Sequence, residues 1–215
     1  MKKRFSTLIF DLDGTLVNTL PDIHKSLNTA LKRLGKAGKS LEVTKNAVGP
    51  GKEAFMQAIL PESTDEEEIE FLKSFREIYW EHCLDKTHLF LGMEKVLDHF
   101  KDKILAIATN KPRVFVEKIL KGTGIYDRFH LIVGPDDVSY SKPHPEMIFK
   151  VLAETGSKTP ETVFIGDTLE DMRAGLGANV SFCRAQYGYG DHFHLESSKP
   201  DWTIKDPVEL MQIIS

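Results

Sequence analysis

Short apolar runs alternate with helix-period patterns over most of this chain. Residues 5–10 are apolar and β-rich and stop abruptly at Asp-Leu-Asp-Gly, which predicts a buried strand running into a loop. Runs of the same kind recur at residues 104–108, 130–133, 162–165 and 180–183. Between them lie helical patterns. Met93, Val96, Leu97 and Phe100 form one, Phe115, Ile119 and Leu120 a second that closes at Gly122, and Met147, Ile148, Val151 and Leu152 a third that follows Pro145. Strictly alternating strands and helices predict an α/β fold on a parallel sheet. Asp206-Pro207 is an N-cap and first-turn pair that predicts a last helix carrying Val208, Leu210, Met211 and Ile214.

Residues 17–90 break this rhythm, with three helical patterns and no strand. The first has Thr19 as its cap with Asp22 three residues on, apolar positions at Leu20, Ile23, Leu27, Leu31 and Leu34, and a stop at Gly35. A second runs from about Lys52 to Leu60, ahead of Pro61. The third starts at Thr64, carries acidic residues in its first turn, and sets Ile69, Leu72, Phe75, Tyr79 and Cys83 on one stripe. The domain organisation expected is a core of residues 1–16 and 91–215 with a helical insertion at 17–90. The chain length of 215 residues agrees with this, because at roughly 150 residues per domain it amounts to about 1.4 domains.

Charge adds little globally and more locally. With 28 basic and 32 acidic residues the net charge is −4, which gives no overall attraction to nucleic acid or to an anionic membrane. Cys83 and Cys183 lie far apart, without the spacing of a disulfide framework or zinc site, and Asp11 and Asp13 interrupt the only N-terminal apolar run. A cytoplasmic protein, monomeric or weakly dimeric, without nucleic-acid or membrane partners, is expected. Within the insertion, Lys45 and Lys52 belong to a basic half that could steer an anionic substrate, although both halves also read as solvated helix faces.

The chemistry gathers at predicted strand ends. In Asp11-Leu12-Asp13-Gly14-Thr15 the alternation of side chains aims Asp11 and Asp13 the same way and turns Leu12 to the core, while Gly14 permits a sharp bend. A second strand ends at Thr109-Asn110, with backbone amides at the start of a helix. Lys142 precedes the Pro145 helix on a proline-rich loop, and another strand ends in Gly166-Asp167, followed by Asp171. Loops beyond the carboxyl ends of parallel strands are where such sheets bind ligands. Four converging aspartates with Lys142 as the nearby cation require a further positive charge, and all-oxygen ligands favour a hard ion such as Mg²⁺. Carboxylates, a hydroxyl, a lysine and Mg²⁺ are the components of phosphoryl transfer.

This set resembles the haloacid dehalogenase-like hydrolase superfamily, in which Asp-x-Asp-Gly-Thr, then Thr or Ser, then Lys, then Gly-Asp-x-x-x-Asp appear in this order. The resemblance implies a Rossmann-like three-layer core with a small α-helical cap inserted after the first motif. It also implies Asp11 as nucleophile, Asp13 as general acid and base, and Thr109 and Lys142 on the phosphate. Mg²⁺ would be held by Asp11, the Asp13 carbonyl and Asp167, with Asp171 bound directly or through water. Stretches such as Val48-Gly49-Pro50-Gly51, Thr109-Asn110-Lys111-Pro112 and Lys142-Pro143-His144-Pro145 resemble the phosphoglycolate phosphatase branch, which implies a small phosphate ester as substrate. Gly14, Asn110, Gly49, Gly51 and Lys52 are the candidate substrate-binding positions. A phosphatase for another small ester, a phosphoglucomutase-like isomerase and a catalytically idle binding module are the alternatives. The Gly51-Lys52 pair lacks the rest of a P-loop, and His192-x-His194 is a weak divalent-ion pattern in a polar stretch.

Overall fold

A computed structural model describes residues 3–190 and 199–215, so His192 and His194 lie outside the described residues. Six parallel strands form the central sheet: β1 (Thr7–Phe10), β4 (Ile104–Ala108), β5 (Leu131–Val133), β6 (Thr162–Gly166), β7 (Ser181–Ala185) and β8 (Trp202–Ile204), in the order β5-β4-β1-β6-β7-β8. β8, an edge strand in which only Ile204 is buried, presents no apolar run in the sequence. In register, Phe10 of β1 lies between Ile107 of β4 and Ile165 of β6. The three strands therefore end within one residue of the same level, so that Asp11, level with Ala108 and Gly166, has Thr109 and Asp167 one position further along.

Both faces of the sheet are buried, as a parallel sheet with helical crossovers requires. Leu8, Phe10, Leu105 and Ile107 pack with Leu97 of α5 (Met93–His99) and with Val116 and Ile119 of α6 (Arg113–Gly122). Ile9, Ala106 and Phe164 point the other way, onto Met147 and Ile148 of α7 (Glu146–Thr155) and Met172 of α8 (Leu169–Gly177). Asp206 caps a short 3-10 turn by accepting from the Val208 N–H at 3.0 Å, and α9 (Leu210–Ile213) follows.

Between β1 and β4 the chain makes its helical excursion through four helices rather than three: α1 (Leu20–Arg33), α2 (Leu41–Ala47), α3 (Lys52–Ile59) and α4 (Asp65–His82). α2 has no helical signal in the sequence, because its seven residues present too few apolar positions to set a helical period. The excursion also contains strands. β2 (Val17–Asn18) and β3 (His88–Leu89) pair antiparallel, so the outgoing and returning chains are tied together at the point where they leave the sheet. Leu27, Leu31, Met56, Ile59, Phe71 and Ile78 form an apolar cluster among α1–α4, separate from those on the sheet.

Two details of these helices differ from expectation. Thr64 does form a capping box with Glu67, but Thr19 caps nothing: its hydroxyl donates to Asp13 Oδ1 at 2.6 Å, and Asp22 accepts from the Lys86 and Thr87 N–H groups at 2.9 and 2.8 Å. The buried stripe of α4 is also rotated. Ile69 is 68% exposed, whereas Phe71, Ile78 and Tyr79 are buried. Phe71, Phe75 and Tyr79, spaced four apart, stack successively at 5.9 and 5.6 Å. Aromatic rings gain from such stacking as well as from burial, and this decides which face turns inward.

Candidate active site

Beyond the ends of β1, β4 and β6 a cavity of 1110 Å³ opens between the sheet and the helical excursion. Asp11, Asp13, Thr109, Asn110 and Lys142 line its floor, while Gly49, Gly51, Lys52, Arg76 and Tyr79 line the opposite wall. The chain bends at Gly14, with φ at +82°, and a Cβ there would lie 2.3 Å from Asp167 Oδ2. Gly14 is thus required both by its backbone angle and by the close approach of Asp167.

Asp11 is buried at the foot of the cavity. Lys142 Nζ donates to Asp11 Oδ1 at 2.9 Å, to the Ala108 carbonyl at 2.9 Å and to Asp171 Oδ1 at 2.6 Å. Desolvation pushes the Asp11 carboxyl up to about 7 despite the neighbouring Lys142, and Asp171 adds to the rise. For Lys142 itself, burial favours the neutral amine, but the carboxylates of Asp11 and Asp171 more than offset this and hold it protonated.

Asp13 has a different setting. Lys111 Nζ donates to both of its oxygens, at 3.1 and 3.0 Å, and Thr19 donates to Oδ1. Asp167 accepts from Thr15 Oγ1 at 2.8 Å and from the Tyr189 N–H at 2.7 Å, and desolvation followed by Asp171 and Asp11 raises its carboxyl well above the ordinary range. Asp171 has both oxygens engaged. Oδ1 meets Lys142, and Oδ2 accepts from the Thr168 hydroxyl at 2.7 Å and from its N–H at 2.9 Å.

Fully ionised, the four buried carboxylates would face two buried lysines, Lys142 and Lys111, with two negative charges left uncompensated, which is why burial and mutual repulsion raise Asp11 and Asp167. Oxygens of Asp11, Asp167 and Asp171 lie within 4.8 Å of one another. Such a set fits a divalent cation held by oxygen. Lys111 carried no separate signal in the sequence beyond its place in Thr109-Asn110-Lys111-Pro112, and its role depends on a contact with Asp13 across 98 positions.

The candidate substrate positions divide. Gly49, Gly51 and Lys52 line the cavity wall, whereas Gly14 does not line the cavity: it lies against Asp167, and its neighbour Asp13 lines the floor. The Asn110 amide is committed within the protein. Its Nδ2 donates to the Gly49 and Lys142 carbonyls, both at 2.9 Å, and its Oδ1 accepts from the Lys142 N–H at 3.0 Å. It joins the helical excursion to the lysine loop. A Cβ on Gly49, where φ is +116°, would lie 2.7 Å from Thr168 Cγ2, so the two parts meet closely there as well.

Residues 8–185 match the model of the haloacid dehalogenase-like hydrolases. The chain belongs to that family. A phosphoglycolate phosphatase of Haemophilus influenzae is 29% identical over the whole of both chains. An N-acetylmuramic acid 6-phosphate phosphatase of Pseudomonas aeruginosa is also 29% identical, covering 99% of this chain and 96% of that one. The crystal structure of a predicted phosphoglycolate phosphatase from Haemophilus somnus superposes with a TM-score of 0.92 at 30% identity, covering 97% of each chain. The protein is a phosphatase of this hydrolase family and has its Rossmann-like fold.

Proposed function

We propose that this phosphatase hydrolyses a small phosphate monoester, with 2-phosphoglycolate as the substrate of first choice, through an aspartyl phosphate on Asp11. The observation that carries the reading is the buried Asp11 carboxylate at the end of β1, held on one oxygen by Lys142 Nζ at 2.9 Å and facing the cavity with Asp13 beside it. Phosphoglycolate phosphatase relatives that run the full length of the chain support the substrate.

The cation proposed is Mg²⁺, which Asp11, the Asp13 carbonyl and Asp167 would hold, with Asp171 behind them already bound to Lys142 and Thr168. When bound, it supplies positive charge that offsets the repulsion between these carboxylates and a phosphate dianion. Lys142 and the Thr109 hydroxyl bind and orient the phosphoryl group, so that an Asp11 oxygen stands in line with the ester bond. As the Asp11 oxygen–phosphorus bond forms and the phosphorus–ester oxygen bond breaks, Asp13 as the acid protonates the departing alkoxide. Asp13, now a carboxylate, takes a proton from water; the water oxygen bonds to phosphorus, the bond to Asp11 breaks, and phosphate leaves.

Residues 17–90 act in this reading as a cap that excludes bulk water, with the paired β2 and β3 as its attachment and Asn110 as a latch to Gly49. Lys52, at the rim, favours anionic substrates. The deciding measurement is phosphate release from 2-phosphoglycolate by the wild type and by Asp11→Asn, with and without Mg²⁺. The wild type should depend on the ion and the variant, folded by circular dichroism, should lose at least about 10³-fold in kcat. Substantial turnover by Asp11→Asn would overturn the mechanism.

A further inference from the structure

Tyr79 stands out among the buried polar groups. It lies in the last turns of α4, is only 2% exposed, lines the cavity, and its hydroxyl makes no hydrogen bond among the described residues. A buried tyrosine hydroxyl ordinarily finds a partner, and leaving one unmet costs free energy. The ring is held firmly, stacked on Phe75 and tilted against Phe115 at 5.1 Å, so the hydroxyl has little freedom to seek water elsewhere. Lys111 Nζ sits 4.8 Å from the centre of the same ring while donating to both oxygens of Asp13. Asp13 is also the carboxylate whose charge bears most on the Tyr79 hydroxyl, after the effect of burial itself.

We infer that Tyr79 and Lys111 form a leaving-group subsite that selects phosphate esters carrying a carboxylate close to the ester oxygen. This rests on the phosphatase mechanism above and deepens it. Asp13 marks where the ester oxygen stands, because it protonates that oxygen. A carboxylate borne on the carbon attached to that oxygen falls beside Lys111, whose amine is 3.0 Å from Asp13 and 4.8 Å from the centre of the Tyr79 ring. The pair offers one fixed cation and one unused O–H donor, which together suit an anionic acceptor rather than an apolar group. Because the hydroxyl comes from the cap helix and the lysine from the loop after β4, the subsite is complete only when both parts enclose the same ligand.

The test compares 2-phosphoglycolate with ethyl phosphate, which has a similar size and no carboxylate, and adds 2-phospholactate and 3-phosphoglycerate as further carboxylate esters. The ratio of kcat/KM for carboxylate over ethyl ester is measured for wild type, Tyr79→Phe, Lys111→Met and Lys111→Arg. Tyr79→Phe should lower the ratio about tenfold, chiefly through KM, and Lys111→Met about 10²-fold, as expected for lost hydrogen bonds to a charged group. Lys111→Arg should recover much of that loss. An equal decrease on carboxylate and ethyl esters, or an unchanged ratio in Tyr79→Phe, would overturn the subsite. If wild type favours another carboxylate ester over 2-phosphoglycolate while the variants still lower the ratio, the subsite stands and the assignment of 2-phosphoglycolate falls. If 2-phosphoglycolate is the best ester and the variants leave its ratio to ethyl phosphate unchanged, the substrate assignment stands and the subsite falls.

Discussion

At the level of single residues, the site brings together groups that would repel one another if left alone. Asp11, Asp167 and Asp171 are buried within a few ångströms, and Lys142 is shared between two of them. Gly14 makes this packing possible. In Gly14→Ala the methyl group would meet Asp167 Oδ2 at 2.3 Å, with the backbone at a φ that L-residues disfavour. A loss of at least about 2 kcal/mol is expected. Chemical denaturation of the metal-free protein should show it, together with weaker cation binding by calorimetry. That Asp11, Asp13, Thr109 and Lys142 come together at the cavity floor, with Asp167 and Asp171 buried behind them, could be anticipated from the chain alone, because each follows a recognisable strand or loop signal. Lys111 and Tyr79 could not. A lysine before a proline and a tyrosine on a helix stripe are common on any surface, and only the packing of α4 against the loop after β4 brings these two together.

At the level of elements, the loop after α2 and the lysine loop before α7 are joined through one side chain. Asn110 donates to Gly49 on the first and exchanges two hydrogen bonds with the backbone of Lys142 on the second. Asn110→Ala should therefore raise KM and lower kcat together, about tenfold in kcat/KM, since both closure and the placement of Lys142 relax. Steady-state kinetics checks this, and limited proteolysis near Gly49 should quicken in the same variant. Helix ends illustrate how local rules yield to tertiary demands. Thr64 and Glu67 form the capping box that their spacing predicts, whereas Thr19 gives up its capping position to reach Asp13. The same competition turned α4 so that Ile69 faces solvent and the aromatic ladder faces inward. Basic and acidic residues of the excursion are similarly paired, Lys25 of α1 with Asp85 just past α4 at 3.0 Å and Lys36 just past α1 with Glu67 of α4.

For the molecule as a whole, the residual negative charge links folding, pH and cation binding. The Asp11 carboxyl, raised from 3.8 to about 7 when no ion is present, favours the folded state while protonated. Its contribution is full below its unfolded pKa and is lost as pH rises through about 7. Chelator-treated protein should accordingly lose stability between about pH 4 and about pH 7 through this group, and Mg²⁺ should restore it at the upper end. At a hundredfold excess over Kd the gain is about 2.7 kcal/mol, or roughly 5–10 °C in Tm for a chain of this size. Thermal unfolding at several pH values, with chelator and with Mg²⁺, measures both trends; a Tm insensitive to the ion at pH 8 would contradict them. By itself the amino-acid sequence determined the alternation of strand and helix, the interruption after β1 and the aspartates and lysine at strand ends, because hydrophobic period and turn chemistry are local properties. Tertiary structure alone decided which face of α4 is buried, that the Asn110 side chain bonds to the backbones of Gly49 and Lys142, and that Lys111 and Tyr79 meet beside Asp13. Those outcomes depend on contacts between segments tens of residues apart, where burial and charge compensation outweigh local preference.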